Sequence, residues 1–332
     1  MPATPGPSGL PGLPGQGTGD RPGADPECTM SGHEPAQAHI PQTRPGDSGA
    51  GPGRRADDAP MPPPPGGILW ETLGDIRTLL SLPAAFTLQV AHPAVGAGVG
   101  DHSVFRTDPW GRGERSLRSM LTWVYGGTAA AEEGRRLREV HESIHGTDAH
   151  GRPYHALDPP TYAWVHATGF PVARRSHRFL NRRPFTRAEE DRMYAEWRQV
   201  GRVLGIHDAD MPPNVDAFWP YYRRVVRDEL ELTAVAAELV DVHALVPPPD
   251  RGPRALRRVL RVLWPVLWPP AARFRRFLTI GLMPPDAREA LGLPWSDRQE
   301  RRLRRFGRAT ATVVPLLPAR LRYLPQARRA TG

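Results

Sequence analysis

The stretch TRAEEDRMYAEWRQVGRVLG, residues 186–205, decides the fold class. Thr186 followed three residues later by Glu189 is a capping box, in which each side chain satisfies a backbone N–H that the first helical turn leaves bare. Behind it Met193, Trp197, Val200 and Leu204 step along one face of an amphipathic helix, which this reading assigns to the scaffold. The same period recurs on both sides. Leu117, Met120, Leu121 and Val124 form one stripe. Leu137, Val140, His141 and Ile144 form another, with Gly146 placed to cap its end. Asp158 and Pro159 open a helix that carries Tyr162, Val165, His166, Gly169 and Ala173 on one side, with a kink expected at Pro171. Further helices are predicted over 216–226, 228–243, 254–263, 271–282 and 297–314, parted by proline-bearing breaks such as Val246 to Pro249. No segment shows the sustained two-residue alternation of a half-buried strand. The fold class is therefore all-α, a single globular helical domain over residues 67–332.

Residues 1–66 read differently. They hold 16 of the 40 prolines and very few aliphatic or aromatic residues, so they cannot bury enough apolar surface to offset the entropy of ordering. They are expected to form a disordered Pro/Gly-rich N-terminal tail. Cys28, the only cysteine, lies in that tail, which excludes an intrachain disulfide and a thiolate-held haem or cluster. The formal charge of +9 comes entirely from arginine, because the chain contains no lysine. Without a zinc-finger, RRM or KH signature, that charge does not make a nucleic-acid partner, and none is expected. No run of roughly 18 apolar residues and no export signal is seen, which gives a cytoplasmic expectation.

Histidine carries the chemistry. His141 and His166 sit on apolar stripes, so both imidazoles are expected to face the interior, where burial without a partner is costly. A carbonyl, a carboxylate or a metal can satisfy them, and haem iron is one such metal. Ala167 and Gly169 beside His166 would let a flat porphyrin approach closely. Arg138, one turn before His141, could meet a propionate or polarise bound O2; the plainer role is a solvated flank. A rival lies in the same segment: His141-Glu142-Ser143-Ile144-His145 is an H-E-x-x-H, the zinc-hydrolase pattern with Glu142 as general base. Gly146 just beyond it, and His150 five rather than six residues after His145, count against that reading. A third reading is a non-catalytic peripheral membrane protein, resting on residues 254–282, where Arg257, Arg258, Arg261, Arg273, Arg275 and Arg276 interleave with Leu260, Leu263, Trp264, Leu267, Trp268, Phe274 and Phe277. Its bland alternative is a packed helix pair with arginine rims.

Longer motifs rank these readings. Gln89-Val90-Ala91-His92-Pro93-Ala94-Val95, continuing through Gly98-Val99-Gly100-Asp101-His102-Ser103-Val104-Phe105-Arg106 and Asp108-Pro109, resembles the opening signature of the MpaB-type and latex-clearing (rubber) oxygenases. So do Gly146-Thr147-Asp148, Gly151-Arg152-Pro153-Tyr154, Asp158-Pro159, Trp164-Val165-His166-Ala167-Thr168 and Glu196-Trp197-Arg198. The resemblance implies a helical fold enclosing haem b and an oxidoreductase that uses O2 on an apolar, isoprenoid-like small molecule. It makes His166 the proximal iron ligand. On the distal side it matches an Arg-x-x-Lys-Thr motif to Arg138-Glu139-Val140-His141-Glu142, with His141 standing in as the distal iron group. His92 and His102 are the next candidates for iron. Rubber itself is not the expected substrate, since a polymer outside the cell would require export. The motifs leave the oligomeric state undetermined, and membrane contact is compatible with a lipophilic substrate.

Overall fold

A computed structural model describes residues 60–241, 246–250 and 252–331, so most of the expected tail, residues 1–59, lies outside the described residues. At the near end, Gln199 donates to the Met61 and Pro62 carbonyls at 3.1 Å. The body is helical as the periodicity predicts. Its helices are α1 Ile68–Leu73, α2 Thr78–Val90, α3 Pro93–His102, α4 Pro109–Tyr125, α5 Ala129–Glu142, α6 Pro159–Ala167, α7 Gly169–Leu180, α8 Arg187–Val203, α9 Val215–Asp228, α10 Ala234–Val240, α11 Arg254–Leu282, α12 Pro285–Ala290, α13 Asp297–Val313, α14 Ala319–Arg322 and α15 Pro325–Thr331. Two strands, β1 His145–Thr147 and β2 Pro153–His155, pair antiparallel with His145 opposite His155.

The capping box forms as read: Glu189 N–H donates to Thr186 Oγ1 at 3.3 Å, and Thr186 N–H donates to the Glu189 carboxylate at 2.7 Å. Met193, Val200 and Leu204 are buried behind it. The main core lies where α2, α7, α8, α9 and the second half of α11 meet. Phe218 is fully buried there, ringed by Phe170 at 5.0 Å, Tyr194 at 5.2 Å and Tyr222 at 6.0 Å between ring centres. Burying a side chain of that size contributes about 3 kcal/mol. A second cluster joins α1 to the far end of α8 through Leu69, Trp70, Tyr162, Val200 and Leu204.

Several expectations are corrected. The helix opened by Asp158 and Pro159 stops at Ala167, and α7 begins at Gly169. Pro171 therefore falls in the first turn of a new helix, where its missing N–H has no intrahelical partner to lose, and it produces no mid-helix kink. The helix carrying His141 ends at Glu142, with Ser143 as C-cap, and Gly146 belongs to β1. The helix expected over 228–243 shrinks to Ala234–Val240, because Thr233 caps it by accepting from Ala236 N–H at 3.1 Å; residues 242–245 lie outside the described residues. The two helices expected over 254–282 are one. Pro265, Pro269 and Pro270 each remove a helix donor, and they do so in a surface stretch where water can reach the orphaned carbonyls.

Candidate functional site

His166 is buried, and the chain itself satisfies it. Nε2 lies 2.8 Å from the Trp197 carbonyl, so that nitrogen carries the proton and donates. Trp197 returns the bond from its indole N–H to the His166 carbonyl at 3.0 Å, and the two rings stack at 5.4 Å. Burial lowers the His166 pKa to about 4, so the imidazole is neutral near pH 7. Gly201 and Met211 close the space beyond the ring: a Cβ on Gly201 would stand 3.5 Å from His166 Nε2 and 3.1 Å from the Met211 sulfur.

The distal candidates sit on α5 against Tyr162, which lies one turn before His166 on α6. His141 is only half-buried and Val140 is 51% exposed, which corrects the expected inward stripe, since α5 turns only part of that face toward the body. His141 Nδ1 donates to the Leu137 carbonyl at 2.6 Å, and the ring packs edge-on against Tyr162 at 6.0 Å. Arg138 donates to the Gly205 carbonyl at 3.3 Å and covers the same Tyr162 ring at 5.8 Å. Tyr162 is buried and donates to the Leu204 carbonyl. Arg138, His141 and Tyr162 thus bind α5 and α6 to the carboxyl end of α8. A haem held through His166 Nε2 does not fit these residues: that nitrogen is bound to the Trp197 carbonyl, and Gly201 and Met211 fill the space beyond it.

The zinc arrangement does not form either. α5 ends at Glu142, so His141 and His145 do not stand one turn apart on a helix. His145 instead stacks on His155 at 6.4 Å, and its carbonyl accepts from His102 Nε2 at 3.3 Å. Among the described residues no group of three or more His, Cys, Asp or Glu could hold a metal ion. His92 Nε2 lies 3.4 Å from a Glu229 carboxylate oxygen.

Other signature residues do structural work too. Gln89 ties α2 to α6 by donating to the Val165 carbonyl at 3.0 Å. Tyr154 donates to Asp101 at 3.0 Å. Asp148 closes the hairpin loop by accepting from His150 N–H, Arg152 N–H and the Arg152 guanidinium. Glu196 accepts from the N–H groups of Ile68 and Leu69 at 3.0 and 2.6 Å, anchoring the start of α1.

A cavity of about 270 Å³ is walled by α1, α2, α4, α7 and α8. Leu69, Leu82, Met120, Val172, Met193 and Trp197 give it apolar sides. At its polar side stand Ser176 Oγ and His177 Nδ1, both buried and both without a hydrogen-bond partner. Burial, reinforced by the Arg77 charge, lowers the His177 pKa to about 4; its ring lies flat on Phe185 at 3.6 Å. Arg77, also in the wall, grips Asp75 and donates to the Leu180 carbonyl. Sequence reasoning missed Ser176 and His177. The helical period places them on α7, but nothing local marks them as unpaired. A wider open groove of about 560 Å³ lies over the hairpin, lined by His145, Tyr154, His155 and Asp158.

A helical domain with a small cavity of mixed apolar and polar lining next to a locked His–Trp pair is the class that fold and site define. Over residues 70–312 the chain matches the family described as ER-bound oxygenase mpaB/B'/Rubber oxygenase, catalytic domain, and it belongs to that family. It is 28% identical over 227 residues to an uncharacterized protein of Mycobacterium tuberculosis, and equally to one of Mycobacterium bovis, each match covering 67% of this chain and 83% of the relative. No solved structure matches it.

Proposed function

We propose that this chain is an oxidoreductase that oxygenates an apolar small molecule bound in the cavity beside Trp197, with O2 as co-substrate. Membership of the oxygenase family supports the reaction class. The observation that carries the site is the pairing of apolar walls with two buried, unpartnered polar atoms, Ser176 Oγ and His177 Nδ1. Unsatisfied buried groups cost about 1 to 3 kcal/mol each, and a ligand bearing one hydroxyl or carbonyl group would recover that. Because His177 is neutral near pH 7, it acts as a hydrogen-bonding group and not as a cation, which suits an uncharged head. Since a 150 Å³ cavity holds benzene, 270 Å³ corresponds to roughly eleven non-hydrogen atoms, the size of a short isoprenoid alcohol.

His166 acts here as a positioning residue. Its two-way hydrogen bonding fixes Trp197 as a wall, and Gly169 lets that wall approach, since a Cβ there would lie 2.3 Å from the indole. Haem dependence is the finer implication of the family resemblance, and the residues around His166 do not fit haem ligation through Nε2. Geraniol tests the proposal. Saturable quenching of tryptophan fluorescence, lost in Ala173→Trp, together with geraniol-dependent O2 uptake, is expected. Absence of both in the wild type overturns it. An absorption spectrum of the same sample reads haem content directly, through a Soret band at roughly 400 nm.

A further inference from the structure

Only the second half of α11 enters the core, where Ala272 and Leu278 to Leu282 are buried. The first half stays on the surface. Leu256, Val259, Val262, Leu263, Val266 and Leu267 are all exposed, Val262 and Val266 by 72% and 73%. At 3.6 residues per turn these six fall on one stripe, which Phe274 continues. A contiguous aliphatic stripe is a contact surface, unlike the scattered single hydrophobes of an ordinary exterior. The body holds the helix with this stripe turned outward: Trp264 stacks on Trp268 at 5.2 Å, meets Trp110 of α4 edge-on at 6.3 Å, and donates to the Val246 carbonyl.

Charge selects the occupant. α11 contains no Asp or Glu. Arg254, Arg258, Arg261 and Arg273 are exposed, and among the described residues none of the four has a carboxylate partner. Arg258 borders the stripe on the Val262 side, and Arg273 follows in line with it, beyond Leu267. We infer that the first half of α11 docks on an anionic lipid surface, with the aliphatic stripe in the acyl boundary and the guanidiniums at the phosphates. A second copy of this chain fits less well, because two stripes face to face bring unpaired arginine rims together with nothing to neutralise them. Residues 1–59 offer the stripe few apolar side chains of their own: apart from alanine and two methionines these are Leu10, Leu13, Ile40 and Cys28 among prolines and glycines.

Vesicle flotation of the full-length chain tests this. The protein should float with phosphatidylcholine vesicles containing phosphatidylserine, stay behind with phosphatidylcholine alone, and be released as salt rises. Val262→Asp combined with Val266→Asp should lower partitioning about a hundredfold. Arg258→Ala combined with Arg273→Ala should lower it about thirtyfold. All four positions are exposed, so circular dichroism and melting should match the wild type; if the valine pair fails to fold, the arginine pair alone decides. No binding to either vesicle, or equal binding to both that the arginine pair leaves unchanged, overturns the inference. So does a dimer by light scattering that the valine pair turns into a monomer, since the stripe then belongs to a second copy.

Discussion

Replacing His166 with glutamine should flatten the dependence of stability on pH. Glutamine can still donate an amide N–H to the Trp197 carbonyl, but it does not titrate. Burial holds the folded-state pKa of His166 at about 4, against 6.5 for the free group. The folded value is the lower one, so between the two the unfolded chain binds the proton. Stability is therefore fully present above the unfolded pKa and is lost as pH falls toward the folded one. At 1.36 kcal/mol per unit, the complete loss is about 3 kcal/mol, of which about 2 kcal/mol has gone by about pH 5. His177, lowered to about 4 mainly by its own burial, adds a loss of the same sign in the same window, so the variant's curve should flatten without becoming level. Urea unfolding followed by circular dichroism at a series of pH values reads this directly. A variant curve parallel to the wild type would refute the packing role of His166. A Soret band present in the wild type and abolished by His166→Gln would refute it independently.

Three further substitutions probe the frame. Gly134→Ala should destabilise by roughly 2 to 4 kcal/mol in the same unfolding assay, because a Cβ there would meet the Val203 carbonyl oxygen at 1.9 Å, where α5 crosses α8. Asp75→Asn should cost roughly 3 to 5 kcal/mol, since the Asp75 side chain is 5% exposed and holds both Arg77 and Arg322, and breaking a buried pair leaves guanidinium charge without its counterion. Glu142→Gln, at the exposed end of α5, should change stability by less than about 0.5 kcal/mol and leave O2 uptake intact; a rate loss of the order of 10² to 10⁴ would instead mark Glu142 as a general base.

The elements legible in the sequence are those whose signals are local. α8 announces itself through Thr186, Glu189 and a stripe that needs no tertiary knowledge, and α13 runs Asp297–Val313 behind the Ser296 cap, close to the predicted 297–314. The misread boundaries depended on distant residues. The chain breaks at Thr168, and the tight approach at Gly169 is to Trp197, a partner on another helix. The strands at His145 and Pro153 are three residues each, too short for alternation to register. In 254–282 the prolines read as a break, yet each removes one donor from a helix whose carbonyls there are open to water, and that cost does not suffice to end it.

The partners of the candidate site residues were not legible in the sequence for a more general reason. A buried histidine demands a partner, and in a sequence only side chains have identities, so a search for partners finds carboxylates, other histidines or an implied metal. Every residue has a carbonyl, and no pattern says which will arrive. His166 found the carbonyl of Trp197, 31 positions away, and Arg138 that of Gly205, 67 positions away. Ser176 and His177 present the inverse case. Their residue types are ordinary for a surface helix, and their importance lies in bonds that the fold does not make. The motif Trp164-Val165-His166-Ala167-Thr168 packs with Glu196-Trp197 through the two hydrogen bonds between His166 and Trp197. It builds a rigid wall of the cavity that Ser176 and His177 also line, so a substitution at His166 should alter ligand binding through the placement of Trp197 even where His166 touches no ligand.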